Sequence, residues 1–174
     1  VTEVEKDVER LQTIADRFSK IGSEPVLEKI DVVEHTKKSY EYLKSRFSNQ
    51  VKFSISLPDY PIYLMLNPVL HSWTIENLIK NAVDAMKGKG KIHVSVEDDL
   101  KFIKIKVEDN GKGIPKKKIK KVFEPGFTTK KRGWGLGLSL AKRIIEDYHK
   151  GKIYVKSSKP NEETIFAIVL PITG

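Results

Sequence analysis

Residues 130–140 of this chain read KKRGWGLGLSL, and three glycines at alternate positions open an apolar helical pattern that runs to about Tyr148. Glycine lets a backbone approach a ligand closely. The first turn of a helix offers unpaired N–H groups at the positive end of the helix dipole. Lys130, Lys131 and Arg132 stand directly before the glycines. The stretch predicts a polyphosphate site, although glycine-rich turns before helices also occur for purely structural reasons.

A second motif lies on a helix predicted from Asn67 to about Lys87, where residues 76–85 read ENLIKNAVDA. Asn77 and Asn81 are four positions apart, so they share one face of that helix. Amide oxygens suit a hard cation, and Mg²⁺ takes few protein ligands together with water and phosphates. Taken alone, the motif fits two solvated polar residues better than a metal site.

A third motif, EDNGKGIP at residues 108–115, directly follows a predicted strand. Its two glycines permit a tight backbone path beside a flat ligand, and a carboxylate at the strand end can accept a hydrogen bond from an exocyclic amine. Asp-Asn-Gly is also an ordinary turn signal. Residues 122–130, VFEPGFTTK, then lead to the glycine-rich helix start. The threonine hydroxyls and the lysine of this segment suit phosphate binding. Alternatively, the segment forms a surface loop with two aromatic anchors.

Composition narrows the possible classes of protein. The 174 residues fit one domain, or one domain with an appendage, and the 39% apolar content with seven Phe and six Tyr is enough for a core. The chain has no cysteine, which excludes disulfides and cysteine-based zinc sites. The four histidines show no metal-ligand spacing. No apolar run approaches the roughly 20 residues of a membrane span, and no signal peptide is visible.

The formal net charge is +9, and much of it lies in lysines between positions 112 and 131. An excess of positive charge is one property of proteins that bind nucleic acids. No aromatic residues interleave the lysines of residues 116–121, however, so a stacking platform for single strands is not supported. The charge is interpreted as a solvated face that partly serves a phosphate ligand, and no nucleic-acid partner is expected.

The remaining pattern predicts the architecture. Residues 1–21 repeat apolar side chains every three or four positions, which is typical of an amphipathic helix with a coiled-coil-like seam. A linker is predicted at residues 23–29, and further helices at about 32–47 and 138–148. Strands are predicted at 51–57, 61–66, 91–97, 102–107, 152–157 and 164–170, and a short basic helix after Pro115. Hairpin-linked strands with interspersed helices indicate a two-layer α/β sandwich.

The motifs occur in the order asparagine helix, Asp-Gly loop, Phe-Thr-Thr-Lys loop and glycine-rich helix start. This series closely resembles the nucleotide-binding domain of sensor histidine kinases, in the superfamily shared with gyrase B, Hsp90 and MutL. The similarity spans residues 62–171. It implies a Bergerat-type ATP-binding fold, whose mixed, mostly antiparallel sheet is covered by helices on one face, plus an N-terminal helix. Residues 23–174 would be the catalytic domain. Residues 1–22 would be the C-terminal part of a dimerisation and phosphotransfer hairpin.

The resemblance also implies the site. Asn81 would be the Mg²⁺ ligand and Asn77 a neighbour of the phosphates, while Asp109 would accept the adenine amine. The base would be lined by Gly111, Gly113 and Ile114. Thr164 would support Asp109, although Glu163 stands where the family often has glycine. An ATP lid and phosphate loop would span residues 123–137, with contacts from Phe123, Thr128, Thr129, Lys130, Lys131, Arg132, Gly133, Gly135, Leu136, Gly137 and Leu138. Lys130 would reach the terminal phosphates as a catalytic residue beside Asn77 and Asn81.

The function implied is a protein-histidine kinase that binds ATP with Mg²⁺ and phosphorylates a histidine outside this chain. The family's acceptor is followed by an acidic residue, whereas the four histidines here precede Thr, Ser, Val and Lys. The acceptor is therefore expected on a helix before Val1. Partners implied are the chain's own hairpin, a response regulator and a second copy in a homodimer. This domain would be cytoplasmic, and its parent could be anchored in the inner membrane.

Two other classes are compatible with parts of the sequence. ATP-driven clamps of the gyrase, Hsp90 and MutL kind carry Glu where this chain has Asn77, and so do most kinases that inhibit sigma factors. A carboxylate there activates water, which an amide cannot do. Asn77 therefore favours the histidine kinase. A nucleic-acid module would instead show salt-dependent DNA binding.

Overall fold

The computed structural model describes residues 25–47, 49–125 and 137–172. The predicted helix of residues 1–21 lies outside these residues, as does most of the irregular stretch before Gly137. The elements are, in order, β1 Glu28–Asp31, α1 Val32–Lys44, β2 Val51–Ser56, β3 Tyr63–Leu66, α2 Pro68–Ala85, β4 Gly90–Asp98, β5 Phe102–Asp109, a 3₁₀ helix Lys116–Lys121, α3 Gly137–Arg143, a π-helical turn Ile144–Tyr148, β6 Lys152–Lys159 and β7 Glu163–Pro171.

Within the described residues, the main sheet has five strands in the order β2-β4-β5-β7-β6. β2 runs parallel to β4, and the other neighbouring pairs are antiparallel. Alternate residues of β5 are buried, among them Ile103, Ile105 and Val107, and they join one apolar core with side chains of α2. The mixed, mostly antiparallel sheet with a helical layer confirms the predicted fold class.

Helix α2 lies centrally in this layer and carries the asparagine motif. Asn67 caps it by accepting a hydrogen bond from the Leu70 N–H at 3.0 Å, and Pro68 occupies the first helical position. Gly88, at φ +77°, follows its C-terminus. Because α2 packs against both α1 and the sheet, apolar side chains are buried over much of its surface.

The predicted linker at residues 23–29 is wrong in part, because Glu28–Asp31 forms strand β1. It pairs antiparallel with β3 in a separate two-stranded sheet, where Ile30 lies opposite Leu64. Asp31 then caps α1 by accepting from the Val33 N–H at 3.1 Å. The strand is four residues long and begins with two exposed charged residues, so alternation alone does not reveal it.

The C-terminal part also differs in detail from the expectation. The predicted helix at 138–148 is α-helical only to Arg143 and continues as the π-helical turn. The basic segment after Pro115 is a 3₁₀ helix. A register shift between Val155 and Ser157 places Ser158 opposite Thr164. None of the helices in the described residues is long and apolar enough to cross a membrane.

Candidate functional site

Asp109 is the last residue of β5, where the chain leaves the centre of the sheet. Its side chain is only 3% exposed, and its Oδ1 accepts a hydrogen bond from the Gly111 N–H at 2.9 Å. Burial raises the pKa of this carboxyl to about 6; the Gly111 N–H opposes the rise and the charge of Glu108 adds to it. A carboxylate has several acceptor positions, so Asp109 can accept a further donor.

The loop after Asp109 lies against the C-terminal end of α2. A Cβ atom added to Gly111 would lie 2.6 Å from the Ala85 carbonyl oxygen, so only glycine fits there. The Lys112 N–H donates to the same carbonyl at 3.0 Å, and the Gly111 carbonyl accepts from the Asn161 N–H at 2.8 Å. Gly113 has a φ of +77°, a left-handed conformation that favours glycine.

Two hydroxyl groups connect this loop to the final hairpin. Thr164 is buried and faces Asp109 in the register of β5 and β7. Its Oγ1 lies 2.9 Å from Ser158 Oγ, and the Ile114 N–H donates to Ser158 Oγ at 2.8 Å. Glu163 accepts a hydrogen bond from Ser157 at 3.0 Å. The unusual Glu163 thus leaves Thr164 beside Asp109.

Asn77 is buried, at 6% exposure, so the alternative of a solvated polar residue does not apply to it. A Cβ atom added to Gly137 would lie 2.6 Å from Asn77 Oδ1, which places the start of α3 directly on this amide. Asn77 Nδ2 is buried and has no hydrogen-bond partner among the described residues. Asn81 lies half-buried one turn further along α2. The structure therefore brings the asparagine motif and the third glycine of the opening stretch together.

The other predicted site residues divide into those that the structure describes and those that lie outside the described residues. Phe123 is half-buried and packs edge-on against Phe166 with ring centroids 6.1 Å apart, and Leu138 packs against the core from the first turn of α3. The second group lies outside the described residues: Thr128, Thr129, Lys130, Lys131, Arg132, Gly133, Gly135 and Leu136.

No sequence pattern singles out Ser158 or the grouping of three histidines. The rings of His35 and His71 lie 5.3 Å apart. Burial lowers the pKa of His71 well below its usual value, and the nearby His35 and His149 lower it further. His149 accepts from the Asn67 N–H at 3.0 Å and lies 2.9 Å from the Ile144 carbonyl, so it joins the cap of α2 to the π-helical turn. These histidines are far apart in sequence, and no spacing signal links them.

The fold is thus a two-layer α/β sandwich with a buried acceptor, Asp109, at the end of a central strand, and the loop after it lies against the helix that carries the two amides. The model of the family described as histidine kinase-, DNA gyrase B-, and HSP90-like ATPase matches residues 71–174. The chain therefore belongs to this family.

Comparison with individual proteins shows which members of this family the chain resembles. The chain is 42% identical over 95 residues to Sporulation kinase A of Bacillus subtilis (strain 168), a match covering 55% of this chain and 15% of that protein. The catalytic domain of histidine kinase ThkA matches with a TM-score of 0.76 and 28% identity over 84% of this chain and 96% of that chain. ThkA in complex with response regulator protein TrrA matches with a TM-score of 0.75 and 27% identity, over 97% of this chain and 49% of the ThkA chain. The chain thus spans a small fraction of the curated relative.

Proposed function

We propose that this chain is the catalytic ATP-binding domain of a sensor histidine kinase, which binds Mg·ATP and transfers the γ-phosphate to a histidine outside the chain. The observation that carries the proposal is the buried Asp109, held between the Gly111 loop and Thr164. Residues 23–174 would form the catalytic domain and residues 1–22 the end of a dimerisation and phosphotransfer hairpin. A homodimeric parent and a response regulator are part of the proposal, and the ThkA–TrrA complex supports the latter.

Asp109 would select adenine. Its pKa of about 6 leaves the carboxyl mostly ionised at neutral pH, so it can accept from the exocyclic amine of adenine. Guanine presents a carbonyl oxygen at that ring position, and two acceptors facing each other repel. Gly111, Gly113 and Ile114 would line the base, and Thr164 would support Asp109 from β7.

The phosphates and the metal would lie between α2 and the start of α3. The residues fit a magnesium nucleotide because the buried amide nitrogen of Asn77 has no hydrogen-bond partner in the part of the chain that the structure describes, while Gly137 leaves no room for a Cβ atom beside the Asn77 amide oxygen. Asn81 offers the neutral oxygen that Mg²⁺ accepts, and we assign it as the ligand. When bound, Mg²⁺ neutralises charge on the phosphates. Further phosphate and lid contacts would come from Phe123, Thr128, Thr129, Lys130, Lys131, Arg132, Gly133, Gly135, Leu136, Gly137 and Leu138.

Histidine phosphorylation is favoured over ATP hydrolysis by Asn77. An amide cannot take a proton from water, whereas an imidazole acceptor is already nucleophilic and needs positioning and charge neutralisation. Three of the chain's four histidines are poorly placed as acceptors. His71 and His149 are buried, and the two ring nitrogens of His93 lie 2.7 and 3.1 Å from Ser54 and Ser56 hydroxyls.

Phosphotransfer in trans tests this function. We expect the chain to bind ADP and Mg·ATP in calorimetry, and to transfer ³²P from γ-labelled ATP to an added hairpin that carries the acceptor histidine. The label should be acid-labile and base-stable, as phosphohistidine is. Without the hairpin, labelling should stay at background and ATP hydrolysis should be slow. Absence of nucleotide binding at millimolar concentration, or strong acid-labile labelling of the chain alone, would contradict the proposal.

The pKa of Asp109 predicts how nucleotide affinity depends on pH. The folded pKa is raised to about 6, so the carboxyl becomes protonated and loses its acceptor role as the pH falls through that value. ADP affinity should be nearly constant above pH 7 and fall by up to about tenfold per pH unit well below 6. Calorimetric titrations from pH 5 to 8 measure this, with Asp109→Asn as control because ionisation of the ADP phosphates is common to both proteins. Identical pH profiles for the two proteins would refute the prediction.

A further inference from the structure

We propose that Ser158 is a positioning residue for adenine recognition, which fixes the base-binding loop to β7 without touching the base itself. This inference rests on the proposed function, because it assigns Ser158 to the same adenine site. Ser158 lies on β6, a strand to which the proposed function assigns no contact with the nucleotide.

The contacts of Ser158 join two parts of the site that are far apart in sequence. Its Oγ accepts the Ile114 N–H at 2.8 Å and lies 2.9 Å from Thr164 Oγ1. Ile114 ends the glycine loop after Asp109, and Thr164 faces Asp109 across the sheet. One half-buried hydroxyl therefore connects both flanks of the carboxylate.

The loop depends on this hydroxyl because the other hydrogen bonds described for it, including the one from the Gly111 N–H to Asp109 Oδ1, lie at its opposite end. Gly111 is held by the Asn161 N–H, and Lys112 donates to Ala85, whereas Ile114 is held by the Ser158 side chain. Between these ends Gly113 adopts φ +77°, and a Cβ atom added there would lie 3.1 Å from Ser158 Oγ. Without the hydroxyl, the glycine segment that lines the base loses the side-chain anchor at its Ile114 end.

The donor and acceptor positions of the Ser158 hydroxyl also allow it to bond to Thr164. A hydroxyl has one donor and two acceptor positions. Ser158 uses one acceptor position for Ile114, so its proton can be donated to Thr164. When Ser158 is the donor, the Thr164 proton is free for another acceptor, and Asp109 is the cross-strand neighbour of Thr164. No sequence pattern reveals the contact between Ser158 and Thr164, because the register shift between Val155 and Ser157 decides which of two adjacent serines meets Thr164.

The two serines provide a matched test. Ser158→Ala should weaken ADP binding about fivefold to tenfold, the loss of one neutral hydrogen bond, and leave affinity for inorganic tripolyphosphate unchanged. Ser157→Ala removes a hydroxyl that donates to Glu163, and it should keep ADP affinity within about twofold. Ser158→Thr, which retains a hydroxyl, should restore most of the affinity. In the phosphotransfer assay Ser158→Ala should raise the KM for ATP and leave kcat unchanged.

Amide hydrogen exchange in the wild-type protein provides a measurement that does not depend on any variant folding. The Ile114 amide should be protected, and Ser158→Ala should accelerate its exchange. An unprotected Ile114 amide, unchanged ADP affinity in Ser158→Ala, or equal loss in Ser157→Ala would overturn the inference while wild-type ADP binding upholds the proposed function. Equal loss of ADP and tripolyphosphate affinity would also overturn it. A wild-type protein that fails to bind ADP would overturn both.

Discussion

Asp109→Asn is expected to weaken ADP binding by about 10- to 100-fold while leaving the protein at least as stable as the wild type. The affinity loss follows from removing a charge-assisted hydrogen bond, which contributes about 1.5–3 kcal/mol, and from the misplaced donor that the amide presents to the adenine amine. The side-chain oxygen that accepts the Gly111 N–H is retained, so the loop keeps its local bond.

The opposite change in stability follows from the raised pKa of Asp109. A group whose folded pKa lies above its unfolded value contributes stability below the unfolded pKa, and this contribution is lost as the pH rises through the folded pKa. For Asp109 that window runs from about 4 to about 6. At pH 7.5 the buried carboxylate therefore opposes folding, and a neutral amide removes this cost. The variant should show an unchanged or higher Tm together with poor binding.

Asp99→Asn is the matched control, since Asp99 is an exposed aspartate in the turn at the other end of the β4–β5 hairpin. It makes the same change in net charge and should leave ADP affinity unaltered. Calorimetry with ADP and GDP separates recognition of the base from general electrostatic effects. Equal affinity losses for ADP and GDP, or an equal ADP loss in Asp99→Asn, would exclude Asp109 as the group that recognises adenine.

Sequence patterns could predict most of the fold because the informative signals are local. Asn67 and Pro68 mark the start of α2, and alternation along β5 marks a strand buried on one face. The short strand β1 was not predicted because it depends on pairing with β3. Its charged residues interrupt the apolar pattern to which the partly buried Ile30 would otherwise contribute. Tertiary pairing, rather than local propensity, decides such a segment.

Site residues were predictable where a short motif contains the chemical groups that the site needs. They were not predictable where strand register or burial in the fold decides whether a residue belongs to the site. Asp109 and Gly111 lie in one short loop motif, so the sequence alone predicts both as site residues. The burial of Asn77 depends on α3 packing against it at Gly137, and the role of Ser158 depends on a register shift in β6. The pairing of His71 with His35 and His149 joins α1, α2 and the end of the π-helical turn, which no local pattern encodes.

Gly111→Ala is expected to destabilise the fold by about 1–3 kcal/mol and to remove most of the ADP affinity. Gly111 is not among the glycines with positive φ, so the backbone conformation itself accepts alanine. The added Cβ atom would lie 2.6 Å from the oxygen and 2.7 Å from the carbon of the Ala85 carbonyl. Backbone atoms at a helix end cannot rotate away, so the loop must shift, at the usual cost of overpacking. Such a shift would displace both the Gly111 N–H and the Lys112 N–H from their acceptors.

Gly88→Ala separates loss of stability from loss of the site. Gly88 has a φ of +77° and open space around its Cβ position, so alanine there costs about 1–2 kcal/mol of backbone strain without steric overlap. The two variants should therefore unfold at similarly reduced urea concentrations, whereas only Gly111→Ala should lose ADP binding under conditions where both are folded. Wild-type ADP affinity in Gly111→Ala, or an equal affinity loss in Gly88→Ala, would mean that the Gly111 loop does not shape the nucleotide site.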